Sequence, residues 1–226
     1  LRRHGAARTA AGQEALFEAP PQTAGPEPAH LSLEERMADE LALLGAYVSA
    51  HPLDPYREVL EPYAVPDDSG GKTAVIGGAV VSYREATARS GRSMAFAEVE
   101  DVHGKRCEVV LFPKAPKGEA LVPGEAVILR GRLEDEDGSV KLVADAVRRI
   151  TGPPAVIRVS ALEELGSLHG ALAAKRGTRP LVLELSGKKA TARLALPPKY
   201  WIAEDPHVLA ELERLGFEVL AGAGPA

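Results

Sequence analysis

Cysteine is almost missing from this chain, with one residue, Cys107, among 226. A lone cysteine excludes a disulfide framework and a thiol pair for zinc, and it points to a reducing compartment. Within a strand-like run it reads first as a small buried hydrophobe. Aromatic residues are scarce, at 4%. No apolar run approaches the roughly 20 residues of a membrane-spanning helix, and the amino-terminal LRRHGAARTAAGQ has no apolar signal-peptide core. The expectation is a soluble, cytoplasmic chain with no membrane partner. Catalytic patterns are lacking too: histidines 4, 30, 51, 103, 169 and 207 have no ligand spacing, and no Gly-rich phosphate loop follows a strand. With no nucleophile beside a base, the expectation is no cofactor, no metal and no bond chemistry. An enzyme would need a carboxylate or histidine cluster assembled from distant residues. The acidic run at 134–137 reads as a solvated hairpin tip, with a divalent-cation site as the alternative.

Five strand-like runs are present: AVIGGAVVSYREATA (74–88), SMAFAEVEDV (93–102), KRCEVVLF (105–112), AVILRGRLED (126–135) and KLVADAVRRI (141–150). SGRS at 90–93 and EDEDGS at 134–139 are hairpin signals, whereas PKAPKGEALVPGE at 113–125 is long enough to plug a barrel end. Glycines 77, 78 and 131 interrupt strands, where glycine marks a bulge or the coil of a closing sheet. The five runs predict an OB-fold, a Greek-key barrel that commonly offers one face and two loops to single-stranded nucleic acid. Residues 71–150 carry 13 basic and 12 acidic side chains, so binding through phosphates alone would be weak and salt-sensitive. Arg84, Arg89 and Arg92 around the first hairpin, with Lys105 and Arg106, are the candidate phosphate contacts, or else an ordinary solvated rim. Tyr83, Phe96 and Phe112 are candidate stacking rings, or else core. The core reading is favoured for the two phenylalanines, and Tyr83 is evenly balanced.

The fold class expected is multidomain, mainly β plus α+β. Residues 1–30, rich in Ala, Gly and Pro, read as a flexible tail, and 31–70 as a helical connector. In the connector, Ser32 and Glu35 form a capping box. Met37, Leu41, Leu44 and Val48 then recur at helical spacing until His51-Pro52, and DPYREVLEPY predicts a second short helix. The barrel occupies 71–151. From 152 to 226 a strand-helix-strand-strand-helix-strand order predicts a small α+β domain with a split β-α-β of the ferredoxin-like type or a relative.

The string LLGAYVSAHPLDPYREVLE (43–61), followed by SMAFAEVEDVHGKRCEVVLFP, resembles the C-terminal region of the bacterial DNA polymerase III alpha subunit, a replicative DNA-directed DNA polymerase. The resemblance implies that this segment is non-catalytic and that polymerase activity belongs to the parent enzyme. It implies an OB domain meeting template single-stranded DNA. Gln13, Leu16 and Phe17 then resemble a pentapeptide that docks on the sliding clamp (beta subunit), and the last domain corresponds to one that binds the clamp-loader tau subunit. Tyr200 and Trp201 are its most anchor-like pair, with coverage of the domain's own core as the alternative for Trp201. The runner-up is a free-standing OB protein of single-strand or anticodon-binding type joined to an interaction domain.

Overall fold

A computed structural model describes residues 32–67, 71–87, 91, 93–112, 121–136, 139–187 and 190–220. Gln13, Leu16, Phe17, Arg89 and Arg92 lie outside the described residues.

Helix α1 (Leu33–Leu44) begins at the predicted capping box. Ser32 Oγ accepts from the Glu35 amide, and the Glu35 carboxylate accepts from the Ser32 amide at 2.8 Å. The helix is shorter than its apolar spacing predicts, because Gly45 takes a left-handed φ of 68° and closes it. The Glu40 carboxylate then gathers the Val48 and Ser49 amides and the Ser49 hydroxyl. Those bonds hold the carboxyl below the ordinary glutamate range.

The second predicted helix is divided into a 3-10 turn at Asp54–Tyr56, helix α2 (Arg57–Leu60) and a 3-10 turn at Glu61–Tyr63. Pro55 and Pro62 cause the division, since each opens a turn but cannot donate within one.

Strands β1 (Thr73–Thr87), β2 (Ser93–Glu100), β3 (Arg106–Leu111), β4 (Ala126–Glu136) and β5 (Ser139–Arg149) close a barrel in the order β1-β2-β3-β5-β4. The parallel β3–β5 pair completes the OB topology. Bulges between Val80 and Ser82 and between Arg130 and Gly131 bend the long strands. At Gly131 a Cβ would collide with the Val143 carbonyl, so glycine lets neighbouring backbones approach there. The interior is filled by Ile76, Val80, Ala95, Val99, Leu129 and their neighbours. Leu121, from the predicted plug segment, is also buried in it.

The remaining strands, β6 (Ala155–Val159), β7 (Arg176–Arg179), β8 (Leu181–Ser186), β9 (Thr191–Ala195) and β10 (Glu218–Leu220), accompany helices α3 (Leu162–Ala173) and α4 (Pro206–Arg214). The α+β class is as expected, but the split β-α-β is not. The sheet order is β10-β6-β8-β9, with β6 directly parallel to β8 and no strand inserted between them. One sheet face packs on α3 and α4 through Ile157, Leu181 and Leu183. On the other face Val156 and Val182 join Leu53, Val59 and Leu60 of the connector, Ala79 and Ile128 of the barrel's outer wall, and Trp201 in a single cluster. The HPLDPY segment is thus wedged between barrel and small domain. Tyr56 Oη donates to the Gly152 carbonyl at 3.2 Å, and Arg193 grips Glu58 at 2.9 Å.

Candidate nucleic-acid interface

A small barrel offers ligands its outer wall, because its interior is packed solid. On β2, Ala95, Ala97 and Val99 point inward, so Phe96, Glu98 and Glu100 face out. Phe96 lies between Arg84 of β1 and Val110 of β3 in one cross-strand row. The Arg84 guanidinium stands 4.2 Å from the Phe96 ring centroid, a cation–π contact that leaves the charge near the surface. Phe112, one residue beyond Leu111, is 47% exposed at the same end of the sheet. Both phenylalanines therefore lie on the outer wall, contrary to the core reading favoured from their apolar surroundings. The legible signal was parity: Phe96 shares its phase with Glu98 and Glu100, and Phe112 shares its phase with Arg106 and Glu108.

Tyr83 behaves oppositely. It packs against the barrel core and donates its hydroxyl to Glu85 at 2.9 Å, so it is no stacking ring. The β1 bulge is responsible. Strict alternation from inward-facing Val80 would turn Tyr83 outward, and the inserted residue reverses the phase.

Lys105 and Arg106 are not free cations either. Lys105 Nζ reaches the Pro66 carbonyl at 2.7 Å and Asp67 at 2.8 Å, fastening the connector to the barrel. Arg106 is shared between Glu100 at 2.8 Å and Glu98 at 3.5 Å, which raises its pKa further. Arg84 is thus the one candidate cation in the described part of the first hairpin that stands beside an outward ring. Acidic Glu98, Glu100 and Glu108 occupy the far end of the same wall. The outward rings and the cation of this wall gather at the Arg84–Phe96–Phe112 end.

In the small domain, Trp201 is fully buried and its indole donates to the Leu196 carbonyl at 2.8 Å, so it is a seam residue and not a surface anchor. Tyr200 is half-buried, edge-on to His169 at 5.9 Å, with Lys199 4.8 Å from its centroid. A cavity of about 780 Å³ separates α1 from the β1–β4 edge, and in it Tyr47 Oη and one Glu125 oxygen have no hydrogen-bond partner. Among the described residues, no group of three or more His, Cys, Asp or Glu side chains could hold a metal ion, and no helix is long and apolar enough to cross a membrane.

The tRNA anti-codon family model, described as an OB-fold nucleic acid binding domain, matches residues 74–150. The DNA polymerase III alpha subunit of Saccharopolyspora erythraea is 28% identical over 210 residues, covering 80% of this chain and 17% of that protein. The alpha subunit of Treponema pallidum is 38% identical over 88 residues, 36% of this chain and 7% of its own length. The chain thus spans about a sixth or less of these relatives. The second OB-fold domain of replication protein A from Methanococcus maripaludis aligns with 36% of this chain and 87% of its own, at 13% identity and a TM-score of 0.28. The resemblance carried by HPLDPY and the barrel strings extends over four fifths of the sequence, and the chain is a relative of the C-terminal, OB-fold region of the bacterial DNA polymerase III alpha subunit.

Proposed function

We propose that this chain is a non-catalytic, template-handling and tethering portion of a cytoplasmic replicative polymerase. Its OB barrel holds single-stranded DNA on the outer wall of β2 and β3. The observation that carries the reading is the outward aromatic pair Phe96 and Phe112 with Arg84 laid over Phe96. Bases of any sequence can stack on such rings, and the near-neutral barrel makes stacking the larger share of the affinity. Arg89 and Arg92, in the adjoining hairpin, add phosphate contacts. Gln13, Leu16 and Phe17 dock on the sliding clamp, where tethering raises the local concentration of a modest-affinity peptide to roughly millimolar. The small domain binds the tau subunit, with the half-buried Tyr200 as its anchor; Trp201 supports that domain from within.

Fluorescence anisotropy of labelled oligo-dT across a salt series tests the barrel. Phe96→Ala and Phe112→Ala should each weaken binding by about 5- to 150-fold, the equivalent of about 1–3 kcal/mol per stacked base. The salt slope should be shallow, near −0.7 per phosphate neutralised. No binding by the intact chain at low salt would leave the barrel a spacer. The anti-codon family match favours an RNA-binding alternative, and tighter binding of oligo-U than of oligo-dT would select it. For the clamp, surface plasmon resonance on immobilised sliding clamp should lose its signal in a Leu16→Ala/Phe17→Ala variant, and an undiminished signal would dismiss the pentapeptide.

A further inference from the structure

Away from the aromatic row, the outer wall of β1, β4 and β5 holds a groove of about 470 Å³. Val75, Arg130 and Ala146 stand abreast in one cross-strand row, and Gly77, Ile128 and Arg148 in the next. Ala146 contributes almost no side chain, so the floor sinks beside Val75, which is 38% exposed in mid-strand, while the space over Gly77 is filled by Leu60 and Tyr63 of the connector. The opposite wall is Tyr63 of the connector and the Pro197-Pro198-Lys199 turn of the small domain. Barrel, connector and small domain therefore build the groove together.

Its charges are arranged asymmetrically. Arg130 is paired with Asp145 at 2.8 Å. Arg148 donates to the Gly177 and Pro198 carbonyls at 3.4 and 3.1 Å, which fixes the guanidinium without neutralising it. Lys199 rests against the Tyr200 ring. Neither Arg148 nor Lys199 has a carboxylate partner among the described residues. A held guanidinium loses little freedom on meeting an anion, so it is ready for a carboxylate.

We propose that this groove docks a short acidic–apolar peptide segment of a partner protein. Aliphatic side chains of that segment fill the trough over Val75 and Ile128, and its carboxylates meet Arg148 and Lys199. Nucleic acid fits less well, since the floor is aliphatic and offers one ring, Tyr63, where a strand of bases needs a series of platforms. The assignment is independent of the DNA and clamp readings.

Anisotropy of the whole chain with a fluorescein-labelled peptide of alternating Leu and Asp, and with its Leu–Lys counterpart, tests it. The acidic peptide should bind and the basic one should not. Lys199→Glu and Val75→Asp, at exposed positions, should each weaken the acidic peptide by about tenfold or more while oligo-dT binding is unchanged. Arg148→Ala is a poorer probe because it also removes bonds between barrel and small domain; urea midpoints of the two surface variants verify that they are folded. Equal binding of both peptides, or unchanged affinity in both folded variants, would overturn the proposal. So would displacement of the peptide by oligo-dT in a Phe96→Ala background, which would assign the groove to nucleic acid.

Discussion

Among the described residues, Asp101 is the buried charged side chain. It is 1% exposed, and its carboxylate accepts from the Val65, His103 and Lys105 amides at 2.8, 2.9 and 2.9 Å. One residue thus closes the β2–β3 turn and pins the end of the connector, and its charge is tolerated because three donors replace water. Asp101→Ala would bury three unsatisfied amides and should cost about 2–4 kcal/mol in urea unfolding, with Asp101→Asn costing less because one acceptor oxygen survives. A loss below about 1 kcal/mol would mean that water enters the turn. Cys107 shows the opposite logic. Burial pushes its thiol from near 9 up to about 11, so at neutral pH it is an inert core residue. The native thiol keeps its proton where the unfolded one ionises, so the native state binds more protons in that window. The stability this provides is fully present below about pH 9 and is lost as pH rises towards 11. The urea midpoint should fall more steeply over that window for the wild type than for Cys107→Ala, and parallel curves would contradict the assignment.

Among the elements, the connector does most to organise the fold. Leu53 and Leu60 are completely buried, and Leu60 presses on β1 where a Cβ on Gly77 would lie 2.6 Å from its Cδ2. Gly77 is therefore a seat for the connector as well as a softening of the sheet. Leu60→Ala should cost about 2–5 kcal/mol, as buried leucine truncations do. Gly77→Ala should be destabilising in the wild type and much milder in the Leu60→Ala background, because the shorter side chain vacates the seat. A double-mutant cycle by urea denaturation measures that coupling; strict additivity would show that the two residues do not meet. On the small domain's open sheet face, Arg158 joins Glu184 at 2.8 Å and Glu218 at 2.6 Å. Charge thus replaces apolar packing where the connector no longer covers the sheet.

For the whole molecule, the shared cluster of connector, barrel and small-domain residues makes independent unfolding costly, since either partner alone would expose Ala79, Ile128, Val156 and Val182. The single tryptophan, Trp201, lies in that seam and reports on it directly. Its fluorescence and the far-UV circular dichroism should follow one coincident urea transition. Removing residues 152–226 should lower the midpoint of the remaining barrel. Two separated transitions in the full chain would show the seam to be a weak contact between autonomous domains. The same seam forms two walls of the peptide groove, so that site depends on the junction being rigid.

The chain's own residues determined whatever depends on near neighbours. Alternation placed all five barrel strands within a few residues of their observed ends. The Ser32–Glu35 box started α1, and EDEDGS left only two residues between the Glu136–Ser139 pair. The α+β character of the last domain followed from its period changes, and HPLDPY with the barrel strings carried the family resemblance. Tertiary structure decided what depends on partners far along the chain. The β1 bulge turned Tyr83 inward, closure of the barrel put Phe96 and Phe112 outside, and carboxylates from other elements occupied Lys105 and Arg106. The seam buried Trp201 and brought Val75, Arg148 and Lys199 to one groove. Periodicity states which residues share a face, but which face meets solvent, and which charge remains unpaired, is fixed only when distant segments pack together.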